Sequence, residues 1–212
     1  MRQEPAIKRA VAFIDGQNLF HSAREAFGYT HPNYDPARLS RVVCERHGWR
    51  CDGVRFYTGL PDAAEQPLWH HFWVAKGARM GRDGVNVFMR PLAYRNVKIR
   101  LPDGTPHIFP AAQEKGIDVR IALDLIRLAH QRVFDVAVIF SRDNDLSEAA
   151  EEIRAISEDQ IRWIKLASAY PYGPAVRRNH GIDKTDWIRI DRATYDACID
   201  PRDYRPRRST GP

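Results

Sequence analysis

The sequence predicts an α/β fold with a mostly parallel sheet. Short apolar runs alternate with longer amphipathic ones along the chain, which is the mark of repeated strand and helix units. Three of the short runs are nearly continuous Val, Ile, Ala and Phe, as expected of strands covered by helices on both faces. The size agrees: 212 residues, 43% of them hydrophobic, suffice for one sizeable core and fit a single domain over residues 1–200.

The elements follow in order. Ala10 to Ile14 is the first strand, an apolar run that stops abruptly at Asp15. Helices are expected from Asn18 to Phe27 and from Pro36 to Arg46, then a second strand from Val54 to Thr58. The helix from Glu65 to Met80 carries Trp69, Phe72, Trp73 and Met80 at spacings of a buried stripe, with base stacking as the second reading. Val85 to Arg90 is the third strand. An insertion then breaks the alternation: Val97, Ile99 and Leu101 interleave with Lys98 and Arg100 before the turn Asp103-Gly104, so a hairpin is expected at about residues 95–110. It is either a surface excursion or a basic arm lying over nucleic acid.

The helix Ile117 to His130 leads into a fourth strand, Val136 to Phe140, followed by a helix from Leu146 to Ser157 and a fifth strand from Ile161 to Leu166. A loop with Tyr170, Tyr172, Arg177, Arg178 and His180 lies at the carboxyl edge of that sheet, where phosphate or base contact is plausible by position. Asp186 to Ile190 reads as a short final strand. Residues 201–212, rich in Arg and Pro, cannot make a core and are expected to form a disordered basic tail.

The net charge of +6, from 33 Lys and Arg against 27 Asp and Glu, admits a polyanionic partner, though many soluble proteins are this basic. Cys44, Cys51 and Cys198 form no CxxC pair, which points to a reducing compartment and no structural zinc. No apolar run approaches the roughly 20 residues that cross a bilayer, so the protein is expected to be cytoplasmic without a membrane partner. The histidines include no i, i+4 pair, and neither GxGxxG nor GxxxxGK[ST] occurs.

The carboxylates carry the chemistry. Asp15 sits at a strand's carboxyl end, where parallel sheets gather ligands, with Gly16 allowing close backbone approach and Asn18 able to cap a helix or lend a neutral oxygen. The fourth strand ends the same way, in Ser141-Arg142-Asp143-Asn144-Asp145. If these two strands are neighbours, Asp15 and Asp143 come within metal-bridging reach; alternatively Asp143 or Asp145 merely caps the next helix. Lys115-Gly116-Ile117-Asp118 opens a helix with Asp118 in its first turn, a position that the helix dipole alone would favour. Asp124, six residues on, falls roughly 120° around the helix from Asp118 and ranks below it, as a supporting group or salt-bridge partner. Carboxylates about 5 Å apart repel by about 3 kcal/mol per pair at an effective dielectric near 20, so such a cluster calls for a cation. Hard oxygen donors select Mg²⁺ or Mn²⁺ over zinc. A haloacid dehalogenase-like phosphatase would need a second acid two residues after the first, and that position is Gln17.

With these motifs in place, Phe13 to Asn18, Lys115 to Asp118 with Asp124, and Ser141 to Asp145, the sequence resembles the NYN domain family, including LabA-like proteins, within the PIN-like nucleases. The likeness runs over about residues 8–168; Arg142 and Leu146 depart from its usual residues. It implies a Rossmann-like three-layer fold with sheet order 3-2-1-4-5 and metal-dependent phosphodiester cleavage, usually of RNA, with single-stranded DNA as a variant substrate. It implies Asp15, Asp118 and Asp143 as metal-site acids with Asp145 close by, Asn18 and Ser141 lining the site, and Lys115 meeting a phosphate. Arg142, Arg177 and Arg178 are candidate substrate contacts. Homodimerisation, common among PIN-like folds, comes with the resemblance. The expectation is therefore an endoribonuclease holding Mg²⁺ or Mn²⁺; the alternative is an RNA-binding or scaffold protein that keeps the fold without cleaving.

Overall fold

The computed structural model describes residues 2–177 and 180–206. In chain order the elements are β1 (Arg9–Asp15), α1 (Gly16–Phe27), α2 (Pro36–Arg46), β2 (Arg50–Leu60), α3 (Pro67–Arg82), β3 (Asn86–Pro91), β4 (Ala93–Arg100), β5 (Pro106–Gln113), α4 (Ile117–His130), β6 (Val136–Phe140), α5 (Ser147–Asp159), β7 (Lys165–Pro171), β8 (Asp186–Ile190) and α6 (Arg192–Asp196). Six strands form one sheet in the order β3-β2-β1-β6-β7-β8, every neighbouring pair parallel. Leaving out the hairpin strands β4 and β5, the order reads 3-2-1-4-5 with a sixth strand added beyond β7.

Alternation along β1 explains the three layers. Ala10, Ala12 and Ile14 face one core, which Leu19 of α1, Val43 of α2 and Phe72 of α3 complete. Val11 and Phe13 face the other, packed by Ile121 and Leu125 of α4 and by Ala149 and Ile153 of α5. A strand buried on both sides has no polar face, hence the unbroken apolar run. Of the aromatic stripe on α3, Phe72, Trp73 and Met80 are buried, whereas Trp69 is only half-buried at the rim.

The fifth core strand lies later than the sequence suggests. Ile161 is 79% exposed with φ of 49°, in the turn that follows α5, and the strand proper is Leu166-Ala167-Ser168-Ala169-Tyr170 within β7. Its small residues have weak strand propensity, and they lie against α1. The hairpin is also longer than expected, spanning Ala93 to Gln113. Packed chain continues past residue 200: Tyr204 is buried, its ring edge-on to Phe72 at 5.8 Å and its hydroxyl donating to Asp200 Oδ2 at 2.5 Å. Lys76 anchors this strap from below, donating to the Tyr34 carbonyl at 2.8 Å with its ammonium 3.8 Å from Asp200 Oδ2. Residues 207–212 lie outside the described residues. Among the described residues no helix is long and apolar enough to cross a membrane.

Candidate active site at the switch point of the sheet

The order in which strands are added to the sheet reverses between β1 and β6, so a crevice opens at their carboxyl ends. The register pairs Ile14 with Phe140, and the next residues, Asp15 and Ser141, therefore emerge side by side. Asp15 is buried and caps α1: its Oδ1 accepts the Asn18 backbone N–H at 3.0 Å. Gly16 is required by close approach, since a Cβ there would sit 2.6 Å from Phe56 Cζ and 3.0 Å from the Tyr57 carbonyl oxygen. Gly16→Ala is expected to cost about 1–3 kcal/mol in urea unfolding, with the α1 start pushed off β2.

Ser141 is a junction. Its hydroxyl reaches Asp15 Oδ2 at 3.5 Å and accepts the Asp143 N–H at 3.1 Å, while its carbonyl accepts from Ser168 Oγ at 2.7 Å. Asn18 Oδ1 accepts the Arg142 N–H at 3.0 Å and so ties the two strand ends together. Asp143 does cap the short 3-10 turn Asn144–Leu146, its Oδ1 accepting from Asp145 N at 3.1 Å, yet the side chain remains half-exposed at the crevice. Asp145 is exposed. The Arg142 guanidinium is folded onto α1, with Nη2 at 2.6 Å from Glu25 Oε2 and Nε donating to Ser22 Oγ at 3.2 Å. Arg177 is exposed, its N–H donating to Glu25 Oε1 at 3.3 Å; Arg178 lies outside the described residues.

The α4 end of the crevice is set by Gly116, whose φ of 70° begins the helix and leaves Asp118 in its first turn, half-exposed. Lys115 is exposed, and its carbonyl accepts from Arg90 Nη1 at 3.3 Å. Asp124 points elsewhere. It is buried against β2, Oδ1 taking Arg127 at 2.8 Å and Arg120 at 3.0 Å, and Oδ2 taking the Tyr57 hydroxyl at 2.9 Å and Arg55 at 3.3 Å.

Electrostatics add a residue that the motifs do not contain. Burial pushes the Asp15 carboxyl up to about 6, and the Asp143 charge pushes the same way, against the stabilising N–H groups of Asn18 and Gln17 and the Ser141 hydroxyl. Glu114, in the link between β5 and α4, is raised to about 7 by burial and by the charges of Asp15 and Asp118, although Gly59 N–H donates to its Oε2 at 2.5 Å. Glu114 thus feels both ends of the crevice. Its only sequence signal is that it precedes Lys115-Gly116-Ile117-Asp118; it ends no core strand and opens no helix.

Among the described residues no three His, Cys, Asp or Glu side chains stand close enough together to enclose a metal ion. The donors are nonetheless all hard oxygens, suited to Mg²⁺ or Mn²⁺ that keep several waters. Asp15 and Glu114 are raised first by burial and then by neighbouring carboxylates, and a cation bound there would offset the second of these.

The family profile described as NYN domain matches residues 9–158. No curated protein matches the chain. Among solved structures, a protein of unknown function, VPA0982 from Vibrio parahaemolyticus, is similar with 22% identity and a TM-score of 0.52, covering 90% of this chain and 97% of that one. That likeness is one of fold. MurG from Acinetobacter baumannii aligns at 8% identity and a TM-score of 0.33, over 85% of this chain and 45% of its own.

Proposed function

Since the chain belongs to the NYN domain family, we propose that it is a divalent-metal-dependent ribonuclease that hydrolyses RNA phosphodiester bonds in the crevice between β1 and β6. The observation that supports this most is the electrostatic coupling of Asp15 with Asp143 and of Glu114 with Asp15 and Asp118, four acids from three separate segments. Such perturbed carboxylates cluster at functional sites more often than elsewhere.

Asp15, Asp118 and Asp143, with Glu114, are the residues that would hold Mg²⁺ or Mn²⁺. When bound, the cation supplies Lewis acidity toward a phosphate oxygen and a water. The chain's own residues do the rest. Asn18 and Ser141 fix the Asp15 carboxylate against the strand ends. Glu114 is fixed at the crevice by the Gly59 N–H on its Oε2, which leaves Oε1 free of that bond for the cation or for a water. Lys115, exposed at the head of α4, offers a cation to a substrate phosphate.

A second reading is an RNA-binding protein that does not cleave, and the lack of a closed three-ligand cluster among the described residues favours it. Incubating labelled single-stranded RNA with the protein in Mg²⁺, Mn²⁺ or EDTA separates the two. Cutting that needs a metal supports the nuclease; retention of RNA in EDTA without cutting in either metal supports the binder.

A further inference from the structure

A cleft of about 260 Å³ opens beside Glu114 where α1, the start of α3 and the root of the hairpin meet. Two aromatic side chains, Phe20 from α1 and Trp69 from α3, are among its lining, both half-buried at the surface. Its floor is polar: the amide of Gln17 and the carboxylate of Glu114 both close over Gly59, where a Cβ would lie 3.2 Å from Gln17 Nε2 and 2.8 Å from Glu114 Oε2. Flat aromatic faces beside donors and acceptors are what an unpaired nucleobase requires, because every base has a π-face to stack and an edge to hydrogen-bond.

The hairpin extends this cleft. Leu92 and Ala112 line it, and Ala112 pairs directly across from Tyr94. Directly opposed residues share a face, and strand side chains alternate. The face of β4 that continues from the cleft therefore carries Tyr94, Asn96, Lys98 and Arg100, whereas Val97, Ile99 and Phe109 lie on the other. Lys98 and Arg100 are thus on the face that continues from the cleft, beside Ile108, and Arg95 is on the opposite face.

We propose that this cleft is a base-stacking subsite for single-stranded RNA, with the Lys98 and Arg100 face of the hairpin carrying the backbone of the strand that enters it. The proposal rests on the RNA-directed reading of the same site. A base stacked on Phe20 or Trp69 with its edge on Gln17 and Glu114 cannot be paired, so the preferred substrate is single-stranded.

The test measures binding of a fluorescein-labelled oligouridine and of a labelled RNA duplex by full-length protein in EDTA, where no cleavage intervenes, and then cleavage of the single strand in Mn²⁺. Phe20→Leu keeps an apolar side chain in α1; the exposed pair Lys98→Ala with Arg100→Ala leaves the core untouched. Expected are preference for the single strand, an affinity loss of roughly ten-fold in Phe20→Leu, and a salt dependence of binding shallower by about one to two in the hairpin variant. Wild-type-like binding by both variants, or preference for the duplex, overturns the subsite. If the parent cuts RNA and both variants bind and cut as it does, the subsite fails while the nuclease stands. If nothing is cut yet binding falls in the variants, the subsite stands and the nuclease reading fails.

Discussion

Asp15→Asn should melt higher than the parent at pH 8 in EDTA and should lose metal-dependent cleavage. The sign follows from the raised carboxyl of Asp15, ordinarily 3.8 and here about 6. A folded state that holds the proton more tightly than the unfolded chain loses stability as pH rises from about 4 to about 6, and the loss then persists at higher pH. The full shift corresponds to at most about 3 kcal/mol, which Asn removes by abolishing the charge while keeping a cap acceptor for the Asn18 N–H. A gain of several degrees by scanning calorimetry is expected, since each kcal/mol moves a protein of this size by about 2–4 °C. Mn²⁺ should reverse the order, stabilising the parent and not the variant. A variant that melts lower than the parent in EDTA would mean that Asp15 is held chiefly for its cap.

Asp124→Ala should act in the opposite way, destabilising strongly with little effect on chemistry. Its carboxylate receives three guanidinium groups and the Tyr57 hydroxyl while almost fully buried. Removing one partner of a buried ion network costs about 3–5 kcal/mol because the remaining charges are stranded. The three arginines keep between 20% and 51% of their side-chain exposure, so water compensates part of that loss and roughly 2–4 kcal/mol is expected. Urea unfolding at pH 7.5 measures it. Cleavage below the new melting temperature should stay within several-fold of the parent; a large loss of cleavage at unchanged stability would put Asp124 in the site instead of under the sheet.

The difference between these two aspartates shows what can be read from residues alone. Asp15, Asp118 and Asp143 are visible because each stands where an apolar run stops or a helix begins, and those junctions are local in sequence. The helical angle separates Asp124 from Asp118, and Arg120 and Arg127 stand one turn from it on the same helix, but Arg55 comes from β2, 69 residues away, and no local pattern reveals it. Glu114 is invisible for the same reason: its carboxyl is raised first by burial and then by the charge of Asp15, 99 residues away in sequence, and neither is local to its own segment. The parallel order of the core strands follows from alternation and buried runs, whereas β7 escapes because Ala167, Ser168 and Ala169 are too small and too weakly apolar to mark a strand. The added strand β8 carries enough of Trp187, Ile188 and Ile190 to be seen, and it extends the sheet by one at its edge. Arg142 is drawn onto α1 by Glu25, a partner 117 residues away that no motif reveals.

If the acids at the β1 and β6 ends act on a phosphodiester through a cation, the rate of cleavage of labelled single-stranded RNA by parent and Asp143→Asn must differ in Mg²⁺ or Mn²⁺ and vanish for both in EDTA. Asparagine can still cap the turn at 144–146, so the fold is retained and melting in EDTA should not fall. Expected are cutting in Mn²⁺ or Mg²⁺, none in EDTA, and a rate lower by roughly 100-fold or more in the variant. Cutting that persists in EDTA, or that proceeds equally in Asp143→Asn, would contradict action through a cation.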